Sequence, residues 1–408
     1  MTADASVAAE APADWDALAV ERPGGHVYQS RGWAEHRRAR GWRPRYITAG
    51  EFRVLALVRD WPLIGGASAY IPRGPAPTGP VADVGAALWA ATRLLAGERT
   101  DVVAADPEIP ADSREWRDWL RRAAFRPIEE IQPSRHRITL PLGDGADEDG
   151  VFGGIAKSTR QRIRKAEKEG TIVVRHDTRA GEGDAEGPAA GRGTAGSRGG
   201  AGGDAHGPAA RGAAAGAASG DGFALPAEPT DAALDRFYDF LLATGDRKDF
   251  SFGPRDDFVA WWRTAHAAGQ LILLEARDRD ARGEPLAGLI LYRHGGRLST
   301  VHSGDLESSR RTHPGALHLL RWRAIQIAIR ERCTEMDLGG ADVAGARRVP
   351  VEGEAMYGLY QHKLSFGGQW LELAGAHERV IRPRRYAAGR LVSRGVRVGT
   401  IASQRLRR

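Results

Sequence analysis

LILLEA (Leu271–Ala276), LAGLILYRH (Leu286–His294), RLSTVHSG (Arg297–Gly304), ALHLLRWRAIQIAIRER (Ala316–Arg332) and TEMDLGG (Thr334–Gly340) follow one another near the C-terminal end of the chain. The first three are short apolar or alternating runs with few residues between them, so they read as an antiparallel meander. The fourth begins behind Pro314 and is long enough for a helix. Its positions Leu317, Leu320, Ile325, Ala328 and Ile329 fit one core face. The fifth is a short buried strand. Three strands, a helix and a further strand make a mixed sheet with helices against it, which is an α/β or α+β domain.

The first third of the chain has a related order. VYQSRGWAEHRRARGW (Val27–Trp42) reads as a helix with Trp33 inward. PRYITA, RVLALVRDW and SAYIPRGP read as strands, VGAALWAATRLLAG as a helix, and DVVAADPEI as a strand. SREWRDWLRRAAF is a helix with Ser113 at its N-cap, and RHRITLPL is an extended link. KSTRQRIRKAEKE then reads as a helix whose Lys157, Arg160, Arg164 and Lys168 form one basic stripe. Residues 178–222 are Gly/Ala-rich, lack large apolar side chains, and are expected to be a disordered insertion. Helices follow near Asp231–Thr244 and in DDFVAWWRTAHAAG, ahead of the meander. Two related domains are the expected organisation.

Composition narrows the setting. The 408 residues are 42% hydrophobic, with one cysteine, so no intrachain disulfide or thiolate metal site forms and a reducing cytosol fits. The N-terminus is acidic rather than signal-like, and no apolar run approaches the ~20 residues of a membrane span. Net charge is +7, yet ten Arg and no acid lie beyond Glu378, so the first 378 residues carry 7 − 10 = −3. Such a basic tail suits RNA or an anionic membrane surface, or is simply solvated. Lysine is scarce: Lys157, Lys165, Lys168, Lys248 and Lys363 stand against 54 Arg. A retained lysine is notable because an ammonium shifts its pKa and a guanidinium does not.

Several constellations have chemical potential. GDLESSRRTHPG puts Arg310 and Arg311 before a helix N-terminus, where free N–H groups suit a pyrophosphate or other anion. An ordinary capped helix with two solvated arginines reads equally well. Acyl-CoA transferases of the GNAT type use a loop Q/R-x-x-G-x-G/A. The formal match here, QSRGWA (Gln29–Ala34), has Trp after its Gly and precedes the first strands, so it is rejected. No H-E-x-x-H, G-x-S-x-G or P-loop is present, and twelve His show no metal spacing. Asp106 ends a strand before Pro107 and is either a proton acceptor or a turn former. Lys363, in MYGLYQHKLSFGGQWLE, is either an oxyanion-stabilising cation in a cleft or a surface lysine.

In order along the chain, QSRGWAEHRR, YIPRGPAP, VAADPEI, EIQPSRHRITLPL, KSTRQRIRKAEKEG, RWRAIQIAIRERCTEMDLGG and GLYQHKLSFGG resemble the Fem family of peptidoglycan-bridge aminoacyl transferases. The resemblance runs from about Tyr28 to Gly375, interrupted by the insertion. It implies an α/β (α+β) fold of two GNAT-like domains, each a mixed twisted sheet with flanking helices. The expected boundaries are 1–142 and 223–376 for the domains, 143–177 for a basic linker helix and strand, and 377–408 for a basic segment that first returns to domain 1. In the resemblance, Lys363 carries the signature lysine near the reacting ester and Asp106 the candidate base. Arg37 falls where members have a phosphate-binding lysine. A further phosphate-binding Arg falls on Arg247 or Arg255, and Tyr360, Arg310 and Arg311 complete the substrate-binding set. Some members carry a coiled-coil arm that assists tRNA binding. This chain has only the short helix Lys157–Lys168 there, which leaves the mode of tRNA binding open.

The activity so implied moves an amino acid from aminoacyl-tRNA to a stem-peptide amine of a lipid-linked or nucleotide-linked peptidoglycan precursor. It needs neither cofactor nor metal, because the ester is already activated. The expected location is cytoplasmic, with peripheral contact between the basic C-terminus and the membrane surface. The rivals are an acyl-CoA-dependent N-acyltransferase on the same fold and a non-catalytic RNA- or membrane-binding protein, and fold alone does not separate them.

Overall fold

A computed structural model describes residues 5–132, 136–180, 222–224, 226, 228–248, 252–279, 285–341 and 348–393, without side chains at 246–248. The first part of the chain runs β1 (Ala5–Ala8), α1 (Arg31–Arg38), β2 (Arg43–Ala49), β3 (Phe52–Asp60), β4 (Ala67–Ile71), α2 (Val81–Gly97), β5 (Thr100–Ala105), α3 (Arg114–Arg122) and β6 (Arg126–Pro127). The second runs β7 (His136–Pro141), α4 (Glu148–Gly154), α5 (Lys157–Lys168), β8 (Thr171–His176), α6 (Thr230–Lys248), α7 (Arg255–Ala267), β9 (Leu271–Asp278), β10 (Pro285–His294) and β11 (Arg297–Asp305). It continues through α8 (Glu307–Thr312), α9 (Ala316–Arg330), β12 (Glu335–Asp337), α10 (Tyr357–Leu364) and β13 (Gln369–Glu372) before β14 (His377–Val380).

Two seven-stranded mixed sheets result. The first has the order β1-β2-β3-β4-β5-β14-β6 and the second β13-β7-β12-β11-β10-β9-β8. Each contains one parallel pair, β4 with β5 and β11 with β12. In both cases a long helix between the two strands makes the crossover: α2 in the first sheet and, after the short α8, α9 in the second. The α2 and α3 side chains Val84, Leu88, Leu95 and Trp116 form the core of the first sheet. α9 covers one face of the second sheet, and α6 with α7 covers the other.

Sequence explains the fit of α6. Gly288 of β10 and Gly304 of β11 are register partners. A Cβ at Gly288 would lie 2.4 Å from the Phe237 ring, and one at Gly304 would lie 2.8 Å from Phe240. The paired glycines therefore leave a flat patch on which α6 lies.

Four readings need correction. The link expected at 135–142 is strand β7, between β12 and β13 in the second sheet, so that sheet reaches back across residue 142. Ile138 is fully buried there, and its strand partners come about 200 residues later (Asp337↔Thr139, Gln369↔Thr139), beyond the reach of local pattern. The basic linker is likewise part of that layer: α5 packs on α9 and β8 pairs with β9. The single helix expected over Val27–Trp42 divides at Ser30, whose hydroxyl caps a new helix at Trp33 N (3.0 Å), and it stops before Gly41 at φ +78. Along α9 burial is not a stripe. Squeezed between sheet and α5, it also buries His318 and Arg321. Residues 181–221 of the insertion and 394–408 of the basic tail lie outside the described residues.

Candidate active site

The parallel pair β11/β12 opens into a split. The strands are paired at Arg297–Ser299 against Glu335–Asp337. Beyond that, Leu338 N donates to Ile138 O of β7 (2.8 Å), and β11 has no ladder partner on that side among the described residues. Gly339 turns the chain with φ +78, and a Cβ there would sit 2.9 Å from Thr300 O and 3.0 Å from Lys363 Nζ. Lys363 projects from α10 into this split. It is 5% exposed, and its Nζ donates to Gly340 O at 2.7 Å. A compact ammonium thus reaches the place where the two strands separate.

Beside the split lies a cavity of about 540 Å³, between the end of β11, the α8–α9 turn, α5 and α10. Arg310 lines it and donates from Nε to Asp305 Oδ2 (2.7 Å). Among the lining residues not singled out as site residues from the sequence are Arg162, His318, Arg321 and His362. Arg321 is 2% exposed, and burial lowers its pKa to about 10. Its Nε donates to His362 Nε2 at 2.9 Å, while its Nη1 has no hydrogen-bond partner among the described residues. Burial, with Arg321, His318, Lys363 and Arg162 adding to it, pushes His362 down to about 2. Burial with Arg162 and Arg321 pushes His318 down to about 4. Both imidazoles are therefore neutral at pH 7. A signal that could have found Arg321 is a charge inside the apolar helix ALHLLRWRAIQ, although such a charge usually means a long side chain reaching outward.

Asp106 sits at the corresponding end of the first parallel pair, after β5, and is 1% exposed. Tyr70 OH donates to its Oδ2 (2.9 Å) and Arg73 N to its Oδ1 (2.7 Å), with the Arg73 guanidinium at 3.8 Å. Burial outweighs these partners and raises its pKa to about 6. Two residues on, buried Glu108 crosses to the second sheet. It pairs with Arg297 and, at 3.6 Å, with Arg137. Neither Asp106 nor Lys363 lines the cavity.

The other expected residues are dispersed. Arg37 lies over the Trp33 (5.4 Å) and Trp42 (5.2 Å) rings, and its Nε has no hydrogen-bond partner among the described residues. Arg255 bonds Asp235 O (2.8 Å) and pairs with Asp239, so it ties α7 to α6. Arg311 is exposed on α8. Tyr360, half-buried on α10, stands edge-on to Trp370 at 5.7 Å. The Arg247 side chain lies outside the described residues. Among the described residues no group of three or more His, Cys, Asp or Glu could hold a metal ion.

Residues 209–347 match the family described as Acetyltransferase (GNAT) domain. The solved structure of FemX is similar over 94% of this chain and 99% of its own, at a TM-score of 0.70 and 16% identity. This chain has the FemX fold. With the GNAT match, which falls on the second of its two mixed sheets, it is an acyltransferase. L-PGS from Bacillus licheniformis (11% identity, 86% and 89% coverage, TM-score 0.43) is also similar. So is a tandem GNAT protein from the clavulanic acid biosynthesis pathway (12%, 83% and 82%, 0.40). No curated protein sequence matches the chain.

Proposed function

We propose that this FemX-fold acyltransferase moves an amino acid from aminoacyl-tRNA to the stem-peptide amine of a peptidoglycan precursor, building an interpeptide bridge. The observation that carries this reading is the buried Lys363 ammonium in the β11/β12 split, next to a cation-lined cavity large enough for the end of a phosphate-bearing donor. The acceptor amine attacks the ester carbonyl. A C–N bond forms, Lys363 stabilises the oxyanion, the C–O bond to the ribose breaks, and the RNA hydroxyl leaves. The amine's proton passes to Asp106 or to water. Loss of one such oxyanion donor costs ~10²–10³ in rate. Arg37, Arg255, Arg247, Arg311 and Tyr360 remain candidates for substrate binding in this reading.

The reading also includes peripheral contact with the inner membrane surface. The helical segment 383–393 carries exposed Arg384, Arg385, Arg390 and Leu391. Next to it, the β3–β4 hairpin tip holds Leu63, 92% exposed, and Trp61 touches Gly389. Cations beside exposed leucines fit an anionic lipid surface. No described helix is long and apolar enough to cross a membrane.

The rival donor is an acyl-CoA, favoured by the GNAT match and by the cavity at the α9 N-terminus. Mass spectrometry of wall muropeptides from cells with and without the protein tests the proposal. A mass increment of one or more amino acids that disappears with the protein is expected. An identical muropeptide profile would refute it.

A further inference from the structure

Asp337 is the last residue of β12 and the last to pair with β11, opposite Ser299, so the split opens directly after it. Its side chain is buried. Oδ1 accepts from Gly339 N at 2.7 Å, across the turn that Gly339 makes with φ +78. Gly339 O in turn accepts from Ile138 N of β7 (3.2 Å), and Gly340 O accepts from Lys363 Nζ (2.7 Å). The ammonium therefore rests on a turn that the Asp337 side chain closes.

A buried carboxylate is costly, and this one is not needed as a counter-charge. The charged side chains facing it are Arg137 of β7, Arg297 of β11 and, from the first sheet's side, Glu108. Both guanidiniums are paired elsewhere. Arg297 pairs with Glu108 and, at 3.6 Å, with Glu335, while Arg137 pairs with Glu335 at 3.0 Å and Glu108 at 3.6 Å. Asp337 forms no ion pair with either among the described residues. Burial raises its pKa against the pull of both arginines and of the Gly339 N–H. An exposed Asp, Asn or Ser closes a turn at little cost. Here the closing group is buried, poorly compensated and one turn away from a second buried charge, Lys363. Costly groups of this kind concentrate at functional sites.

We propose that Asp337 is a positioning residue: its carboxylate holds the Gly339–Gly340 turn and thereby fixes the Lys363 ammonium at the split. This rests on the reading above in which Lys363 acts on the reacting carbonyl. Asp337 acts through Lys363 and not on the substrate.

NMR of the full chain labelled with 15N-lysine, together with transfer kinetics, tests it. The chain has five lysines, and Lys363→Met assigns the Lys363 signal. Asp337→Ala removes the acceptor. It should move the Lys363 signal and lower turnover at least about tenfold, with KM within about twofold of wild type. Asp337→Asn keeps an acceptor for Gly339 N and should return the signal, and turnover to within about threefold of wild type. A merely structural carboxylate predicts the reverse: both variants unfold at a lower temperature, while the Lys363 signal and the turnover of the folded protein stay at wild-type values. That result overturns the proposal, as does an Asp337→Asn no better than Asp337→Ala. Should Asp337→Ala not fold, Asp337→Val, which suits a strand, removes the same acceptor, and a wild-type signal and turnover there overturn it. The NMR signal needs no substrate. A Lys363 signal moved by Asp337→Ala in a chain that transfers nothing upholds the positioning and refutes the function proposed for Lys363.

Discussion

Lys363 Nζ donates a 2.7 Å hydrogen bond to Gly340 O and so ties α10 to the chain leaving β12. The bond fixes the ammonium where the second sheet splits. Lys363→Met should lower turnover by ~10²–10³ with little change in KM, because the charge acts on the transition state. Lys363→Arg should not restore it: a planar fork is larger than an ammonium already 3.0 Å from where a Gly339 Cβ would be. Steady-state kinetics on folded variants checks both, and full turnover by Lys363→Met would remove the residue from the mechanism.

Gly339 is constrained twice, by φ +78 and by the 2.9 Å approach of Thr300 O. Gly339→Ala should lose about 2 kcal/mol of stability through backbone strain and the clash. It should also displace Lys363 and depress turnover. Urea unfolding and rate measurements on one preparation report both, and a neutral Gly339→Ala would mean the split can widen freely.

Asp106 predicts a pH dependence with a definite sign. Its pKa is raised from 3.8 to about 6 in the folded chain. Between those values the folded state binds more protons than the unfolded state, so stability falls as pH rises from about 4 to about 6 and is level above that. The change amounts to about 3 kcal/mol at ~1.4 kcal/mol per unit. Asp106→Asn should abolish this slope. As the base, Asp106 would also make the rate climb through pH 6, and the Asn variant would be inactive. A fully active Asp106→Asn would confine the residue to holding Tyr70 and the Arg73 backbone.

Glu108 links the sheets. Its pairing with Arg297 and Arg137 holds its carboxyl well below the usual range despite burial. Glu108→Gln leaves two buried guanidinium groups short of a counter-charge, so a loss of roughly 3–5 kcal/mol is expected in urea unfolding. A loss under 1 kcal/mol would show that Glu335, which also bonds Arg137 (3.0 Å), compensates alone.

Local pattern carried the meander, α9 and the two α/β layers, since continuous apolar runs separated by short polar segments mark their buried strands and helix. It also located Ser113 as a cap, at 3.3 Å from Trp116 N. It failed where the decisive neighbour is remote. β7 looked like a link because β12 and β13 lie far along the chain. His362 acquires its environment only when α10 meets Arg321 across the α9 surface. Arg310, expected in a loop, lies within the short helix α8, and Arg321 was not singled out because its surroundings come from α5 and α10, remote along the chain.

The central claim is the donor. Purified full-length protein, a muropeptide precursor and either charged tRNA or acyl-CoA allow one direct measurement, the amount of acyl group transferred to the precursor. Transfer with charged tRNA that RNase abolishes, and none with acyl-CoA alone, is expected. Transfer with acyl-CoA alone, insensitive to RNase, would contradict it.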